Sequence, residues 1–428
     1  MEIIDELKIL AQRFKEHGYT LYAVGGFVRD YILSCDSDDI DITSNMPHDE
    51  VKSLCKECGF GCKEVNKNLG TLLIIINGKR MEYTRFRKES YGSGHTPEEV
   101  EFVDDIEVDT LRRDISINAI YLDILSGEYV DKCGGLKDIE KGIIRTANAP
   151  DFTLKDDGLR ILRIIRFASA LNFKIGRKTE KALLKYRANL KAISKERILK
   201  ELNKILLAEE RYGNKNEIGL TKINKLGLLP YIFNSTLKCV TLSQKDISKI
   251  HALSKEARTI GFYFAVLKNY LKTFVNDNQL MFTCNMLLGR DGIKESKSNI
   301  MATEKIFRIY HNLSIEKESF TASLNYLTLS NVEREIIDNF IDIDTSQRLS
   351  DNISYIKAKK LPLSPNDLPL KPVDMIEAKI EKTYISKILS TLFNMVLDMK
   401  VKNTKDDLLK CALEINETFI KITKDTHK

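Results

Sequence analysis

The chain reads as an α+β protein, with a small mixed-sheet head over residues 1–150 and helices from there onward. Three observations carry this. Between residues 20 and 86, apolar runs of strand length alternate with glycine turns and helical spacing, including runs 70–76 and 80–86 around the hairpin dipeptide Asn77-Gly78. Beyond about residue 150, apolar side chains recur almost wholly at i, i+3 and i+4. At 428 residues the chain is also too long for one ordinary core.

Taken in order, residues 3–14 have helical spacing and close at His17-Gly18, a C-cap. Apolar Leu21 to Val24 suit a buried strand, Gly25-Gly26 break it, and helical spacing resumes from Val28 to Leu33. A second strand is expected over 39–43, and a helix over 47–58 stopped by Gly59. After the hairpin, residues 88–104 carry Gly92, Gly94 and Pro97 and read as a mobile loop. Helices are expected over 157–172, 178–190 and 194–208. Residues 210–360 are helical and rich in Lys, Asn and Ile, without a defensible motif. Residues 361–372 hold four of the eight prolines and form a joint before the last two or three helices. The expected segments are a head (1–150), neck (151–210), body (211–355) and tail (356–428).

Composition bounds the class. With 43% hydrophobic and 30% charged residues the chain is of soluble globular type. Its formal charge of +6 is compatible with a phosphate-rich partner without demanding one. No run of eighteen apolar residues offers a membrane span, and no secretory signal follows Met1, so the cytoplasm is the expected compartment. Cys55-x-x-Cys58-x-x-x-Cys62 invites a zinc reading but lacks an obvious fourth ligand. On the inner face of helix 47–58, Cys55 and Cys58 serve better as small hydrophobes, and no disulfide framework is expected. Nothing in the sequence fixes the oligomeric state.

The densest chemistry lies in Gly25-Gly26-Phe27-Val28-Arg29-Asp30, followed by Asp39-Ile40-Asp41. Glycines let backbone N–H groups approach an anion, and the following helix N-terminus adds a favourable dipole. Asp39 and Asp41 are two apart on a strand, so both side chains leave one face. Such a carboxylate pair suits two Mg²⁺ ions whose shells are completed by substrate phosphates. An EF-hand reading fails, because the sixth position is Asp41 rather than Gly and the twelfth is Pro47. A phosphate cradle beside metal-binding carboxylates points to nucleotidyl transfer. The combination resembles the signature of polymerase-β-type nucleotidyltransferases, in the branch holding class II tRNA nucleotidyltransferases (CCA-adding enzymes) and bacterial poly(A) polymerases.

Further motifs carry the resemblance. Arg112-Arg113-Asp114-Ile115-Ser116-Ile117-Asn118-Ala119 is a solvated helix face when read alone, but is similar to the family's Arg-Arg-Asp-Phe-Thr-x-Asn-Ala, which contacts ribose and triphosphate. The resemblance implies that Asp114 tests for the 2′-hydroxyl and Arg113 binds sugar or phosphate. Glu82, in a match to Glu-x-x-Thr-Phe-Arg, is either a third metal carboxylate or a surface strand residue. Asp156-Asp157-Gly158-Leu159-Arg160 resembles the family's Glu-Asp-x-x-Arg, whose last two charged residues pair with the incoming base. Carboxylate accepts from the exocyclic amine of cytosine or adenine, and guanidinium donates to ring acceptors. Asp157, Arg160 and Arg163 would share a helix stripe, for which a plain i, i+3 ion pair is the bland alternative, and Arg163 and Arg166 join the expected nucleotide-binding residues. Ser194 to Leu202 resembles a structural helix brace of the family.

The resemblance covers residues 1–205 strongly and 360–410 in patches. Pro365-Asn366-Asp367-Leu368 and Val401-Lys402-Asn403-Thr404 resemble the tail that docks the tRNA elbow, although Asp374, Met375 and Ile376 stand where the family has glycines. No HD phosphohydrolase domain follows, and His48-Asp49 reads as a helix cap. What the resemblance implies is addition of CCA to the 3′ end of tRNA from CTP and ATP, with Mg²⁺ at Asp39 and Asp41. Gly25, Gly26, Arg29, Arg112 and Asn118 would bind the nucleotide. Poly(A) polymerase shares the head but usually carries an arginine-rich stretch near Gly70-Thr71. In the loop, Ser93 and His95 replace the usual Asp and Arg, which leaves CC-only or A-only addition open. An inactive RNA-binding protein is opposed by intact Asp39, Asp41 and Arg112-Arg113-Asp114.

Overall fold

A computed structural model describes residues 5–37, 39–90, 99–207, 212, 216–233, 237, 240–271, 276–290, 292–315 and 320–426. Helix α1 (Asp5–Glu16) leads into β1 (Tyr22–Val24), α2 (Gly26–Ile32), β2 (Ile40–Ser44) and α3 (His48–Glu57). Then come β3 (Gly61–Asn66), the hairpin β4 (Thr71–Ile76) and β5 (Lys79–Arg85), β6 (Arg87–Ser90), β7 (Glu99–Phe102) and α4 (Ile106–Leu111). The head closes with β8 (Ile120–Asp123), β9 (Tyr129–Asp131) and α5 (Gly135–Lys141).

Seven strands form one sheet in the order β3-β4-β5-β2-β1-β8-β9. β2 and β5 run parallel and the other neighbours antiparallel, which makes the sheet mixed. Its core is built from fully buried Leu7, Leu10, Phe14, Ile42, Leu54 and Tyr83, with the Phe14 and Tyr83 rings 6.1 Å apart. Such burial removes about 25 cal/mol of apolar exposure cost per Å². The register sets Val24 opposite Asp41, and Asp41 opposite Glu82.

Two expectations need correction. Residues 88–104 are not loop throughout: β6 and β7 pair antiparallel from Arg87–Phe102 to Ser90–Glu99, because alternating Lys88-Glu89 and Val100-Glu101 suit a half-exposed ladder. The loop tip at 91–98, with Ser93 and His95, lies outside the described residues. The helix expected over 157–172 starts later, as α7 (Arg160–Leu171), and a separate α6 (Pro150–Asp156) precedes it. Asp157 breaks the run with extended backbone (φ −138°, ψ 108°), so it does not share a helix stripe with Arg160. Gly158 follows it in a crowded place.

Helices α8 (Arg177–Tyr186) and α9 (Lys195–Leu207) follow, and helices continue from Asn216 to Ala358. The chain forms two compact units, residues 1–270 with 281–300 and residues 271–280 with 301–428. In the second unit the proline-rich joint is a packed turn: Leu368 and Leu370 are buried among Ile388, Leu392 and Leu397. Three helices follow it, Pro372–Glu377, Ile385–Leu397 and Lys405–Thr426. Thr404 and Asp407 bond reciprocally at the start of the last, and Asp367 accepts from the backbone N–H groups of Leu363 and Ser364.

A Cβ on Gly158 would lie 2.7 Å from the backbone of Asn189, whose amide bonds Leu154 in α6. Gly158→Ala is therefore expected to destabilise the first unit by about 1–3 kcal/mol through overpacking. A lower denaturant midpoint at unchanged m-value checks this.

Candidate active site

At the end of β1, Gly25 takes φ 77° and ψ −141°, a conformation that disfavours a side chain. A Cβ there would also sit 2.9 Å from Asp41 Oδ2, so the turn needs glycine twice over. Asp39 is exposed one residue before β2, and Asp41 is half-buried within it. Burial, then the negative charges of Asp39 and Glu82, push the Asp41 carboxyl up to about 7, against a smaller opposing pull from Arg113. Glu82 is exposed on β5. An Asp41 carboxyl raised by burial and by neighbouring carboxylates is the kind of oxygen donor that a hard divalent cation relieves.

Among the described residues, no three His, Cys, Asp or Glu groups converge to cage a metal by themselves. That includes the cysteine triplet: Cys55 is fully buried in α3, Cys58 ends the helix half-buried, and Cys62 on β3 bonds Cys55.

A cleft of about 650 Å³ opens beside these groups. It is lined by Gly25, Gly26, Arg29, Asp39, Asp41, Arg112, Arg113, Asp114, Asn118, Asp157, Arg160, Arg163 and Arg166. Of the residues singled out from sequence, Glu82 is not part of that lining. Arg87, Glu89, Arg197, Lys204 and Phe167 line it too and were not anticipated as site residues. Basic side chains outnumber acidic ones nine to five, a balance suited to a polyphosphate. Burial, then Arg166, Lys200 and Arg163, hold the Lys204 ammonium below its ordinary value, against Glu201.

Each arginine is held from behind. Asp109, fully buried, accepts from Arg112 Nε at 2.8 Å, from Arg113 Nη2 at 3.0 Å and from the Tyr121 hydroxyl at 2.7 Å. Burial would raise the Asp109 carboxyl, but the Arg112 and Arg113 charges and the tyrosine bond outweigh it and hold it well below the usual range. Its place three and four residues before the arginines was the available sequence signal. Arg163 reaches Asp114 Oδ2 at 2.7 Å, while Ile115 N–H donates to Asp114 Oδ1 at 2.8 Å. Here too burial raises and the arginine lowers, with a net fall for Asp114. Arg166 lies 3.1 Å from Glu201 of α9 and over the Phe167 ring at 4.3 Å.

Asp157 and Arg160 are placed separately. Leu159 N–H donates to Asp157 Oδ1 at 2.9 Å, and Arg197 of α9 approaches Oδ2 at 3.3 Å. Arg160 Nη2 donates to the Arg112 carbonyl at 2.7 Å. No Asp157–Arg160 side-chain pair accounts for the spacing that first drew attention to them.

A mixed sheet whose glycine turn and strand carboxylates face an arginine-lined cleft defines a nucleotidyltransferase head. The poly A polymerase head domain family matches residues 21–145, and the family described as the probable RNA and SrmB-binding site of polymerase A matches 172–238. A CCA-adding enzyme of Bacillus pumilus is 41% identical over 192 residues, 45% of this chain and 47% of that one. A Staphylococcus aureus CCA-adding enzyme is 30% identical over 68% of this chain and 78% of its own length. One from Staphylococcus haemolyticus is 28% identical over 96% and 98%. In fold, the chain is similar to the Bacillus stearothermophilus CCA-adding enzyme in complex with CTP (TM-score 0.59, 23% identity, 97% and 98% covered). It is also similar to the Thermotoga maritima CCA-adding enzyme complexed with tRNA (TM-score 0.64, 19% identity, 96% and 95% covered). The chain belongs to the CCA-adding enzyme family of tRNA nucleotidyltransferases. Enzymes of this family generally use a divalent metal.

Asp109→Ala takes a fully buried carboxylate from two half-buried guanidinium groups and is expected to cost about 3–5 kcal/mol at pH 7. Because the folded carboxyl titrates below its unfolded value of 3.8, its stabilisation is complete above that value and is lost as pH falls through the folded one. The gap between wild type and variant should therefore narrow below about pH 4. Urea unfolding at pH 7 and pH 3 measures both.

Proposed function

We propose that this chain adds C, C and A to the 3′ end of tRNA from CTP and ATP, without a nucleic acid template, releasing pyrophosphate. The observation that carries it is one cleft lined by both Asp39–Asp41 and Asp157–Arg160, which brings candidate transfer and base-reading residues to the same cavity. The named relatives support the substrates.

In this reading Asp39 and Asp41 hold Mg²⁺, with Glu82 as a neighbouring carboxylate. Bound there, Mg²⁺ lowers the pKa of the RNA 3′-hydroxyl and offsets charge on the departing phosphates. Gly25 and Gly26 leave backbone N–H groups open to the triphosphate. Arg112, Arg113 and Arg163 lend it positive charge while their carboxylate partners keep them in place. Asp114 and Asn118 face the sugar. Asp157 accepts from the exocyclic amine of cytosine or adenine, since each of its oxygens has a second lone pair. Arg160, oriented by its bonds to the Arg112 and Thr153 carbonyls, serves ring acceptors. Arg166, held by Glu201, shapes the wall. The tail segments around Asp367 and Lys402–Thr404 are the docking surface for the tRNA elbow, and the cytoplasm is the compartment. Among the described residues, no helix is long and apolar enough to cross a membrane.

The test incubates the protein with tRNA transcripts ending at successive 3′ positions and each labelled nucleotide. Ordered C, C, A addition supports the reading, and runs of A would replace it with poly(A) synthesis. Ser93 and His95, in place of the charged pair usual in the loop, favour a second reading in which addition stops at CC.

Two outcomes are expected of variants. Asp39→Ala or Asp41→Ala should abolish transfer with nearly unchanged tRNA affinity, because affinity comes from dispersed Lys and Arg contacts to phosphate. More than a few per cent of wild-type kcat with Mg²⁺ would refute the metal assignment. Asp157→Ala should raise relative use of UTP, and Arg160→Ala should lower kcat/KM for CTP and ATP alike, each contact being worth about 1–3 kcal/mol of discrimination. Unaltered nucleotide ratios with a lowered Tm would return both residues to scaffolding.

A further inference from the structure

We infer that Tyr212, from the segment after α9, is a positioning residue for nucleotide binding: through Arg29 it fixes the Asn118 side chain with its N–H groups toward the cleft. This deepens the proposed nucleotidyl transfer and rests on it.

Arg29, read from the sequence as a triphosphate ligand, lines the cleft yet is 3% exposed, and its neighbour Asp30 is 1% exposed. Its donors point into the protein. Nε donates to Asp30 Oδ1 at 2.8 Å, Nη1 to Asn118 Oδ1 at 2.7 Å, and Nη2 to the Tyr212 hydroxyl at 2.8 Å. The same hydroxyl donates to Asp30 Oδ1 at 2.5 Å. The guanidinium carbon lies 5.1 Å from the Phe167 ring centroid and 5.8 Å from that of Tyr212, so two rings enclose it.

This arrangement settles which way the Asn118 amide points. A guanidinium has donors only, so the Asn118 atom facing Arg29 must be the oxygen. The other end of the amide, with two N–H donors, is left for the cleft that Asn118 lines. Donors at that edge suit the acceptor oxygens of a ribose or triphosphate, whereas a flipped amide would set its oxygen against them. Arg29 holds the amide only while its own plane is fixed. That plane is set by Asp30 beside it and by Tyr212 above it, 183 residues away in sequence. Removing the Tyr212 hydroxyl takes a bond from both Arg29 and Asp30 and frees the guanidinium to turn, with Asn118 following.

The experiment uses the full chain and a double-mutant cycle of Tyr212→Phe and Asn118→Ala. KM and kcat for CTP and ATP are measured on tRNA acceptors, alongside CTP binding at equilibrium without RNA, and Tm. Tyr212→Phe is expected to raise KM and weaken CTP binding by about tenfold, the scale of one bond to a charged group, with kcat held within about twofold. In the Asn118→Ala background the same change should add nothing, since its effect passes through that amide. Asn118→Asp keeps an acceptor for Arg29 but turns a second oxygen to the cleft, so it should weaken CTP binding by more than tenfold at unchanged Tm. Additive effects in the cycle, or a fallen Tm with unchanged CTP binding for Tyr212→Phe, would overturn the inference. Wild-type protein that binds CTP but transfers nothing to tRNA would refute the proposed function, and the binding cycle would still decide the role of Tyr212.

Discussion

Nine cationic side chains share one cleft wall, and the rest of the first unit is arranged around making that tolerable. Two like charges 4 Å apart repel by about 4 kcal/mol at an effective dielectric near 20, so such a wall needs counter-charges behind it. The structure supplies them. Asp109 stands between Arg112 and Arg113, Glu89 between Arg87 and Arg112, Asp114 beneath Arg163, and Glu201 beneath Arg166. Buried pairs of this kind add little net stability over apolar packing, while breaking one is costly. Placement is what they achieve: Arg112, Arg113, Arg163 and Arg166 line the cleft while a carboxylate holds each of them.

That constraint explains why head and neck elements form one unit. The carboxylates behind the arginines come from β6, α4, the segment after α4 and α9, so the wall is complete only when strands near residue 89 and a helix near residue 201 are assembled together. At the Asp39–Asp41 end the sign reverses. There the β1–β2–β5 register crowds Asp41 beside Glu82, and negative charge is left without an equal partner. In the proposed function, a nucleotide laid along this cleft would meet positive charge along its phosphates and carboxylates at one end, the polarity a metal-bridged triphosphate requires.

The sequence showed those parts whose signal is local. The β1–glycine–α2 turn, the β4–β5 hairpin at Asn77-Gly78 and the helices beyond residue 150 followed from periodicity and turn chemistry. The edge strand β3 escaped notice because Gly61 to Asn66 is almost wholly exposed and has no core face to impose alternation. The β6–β7 pair was hidden by the glycines and proline that stand between its two strands in the sequence. The start of α7 was placed three residues early, at Asp157, because charged-and-apolar spacing runs on from Asp157 into the helix, whereas Asp157 is extended chain and Gly158 sits against the backbone of Asn189. In the cleft, motif spacing singled out the arginines and Asp114 but not the remaining partners. Glu201 and Arg197 were read only as a helix brace, and Tyr212 carries no local signal at all.

The break at Asp157 changes how base reading is to be understood in the proposed function. Two readers on one helix stripe would be fixed to each other at one spacing. Here Asp157 is extended chain, tied by Leu159 N–H and Arg197, while Arg160 begins a helix and is tied to the carbonyl of Arg112. The acceptor and the donor are thus oriented from different elements, α9 and the end of α4. Cytosine and adenine differ in ring size but share an exocyclic amine beside a ring nitrogen acceptor. A pair placed independently can meet that shared pattern on rings of two sizes, and selection then rests on the order of donor and acceptor. Uracil and guanine place a carbonyl where Asp157 needs a donor, so two acceptors face each other unsatisfied, and that is the more costly error in a partly buried site.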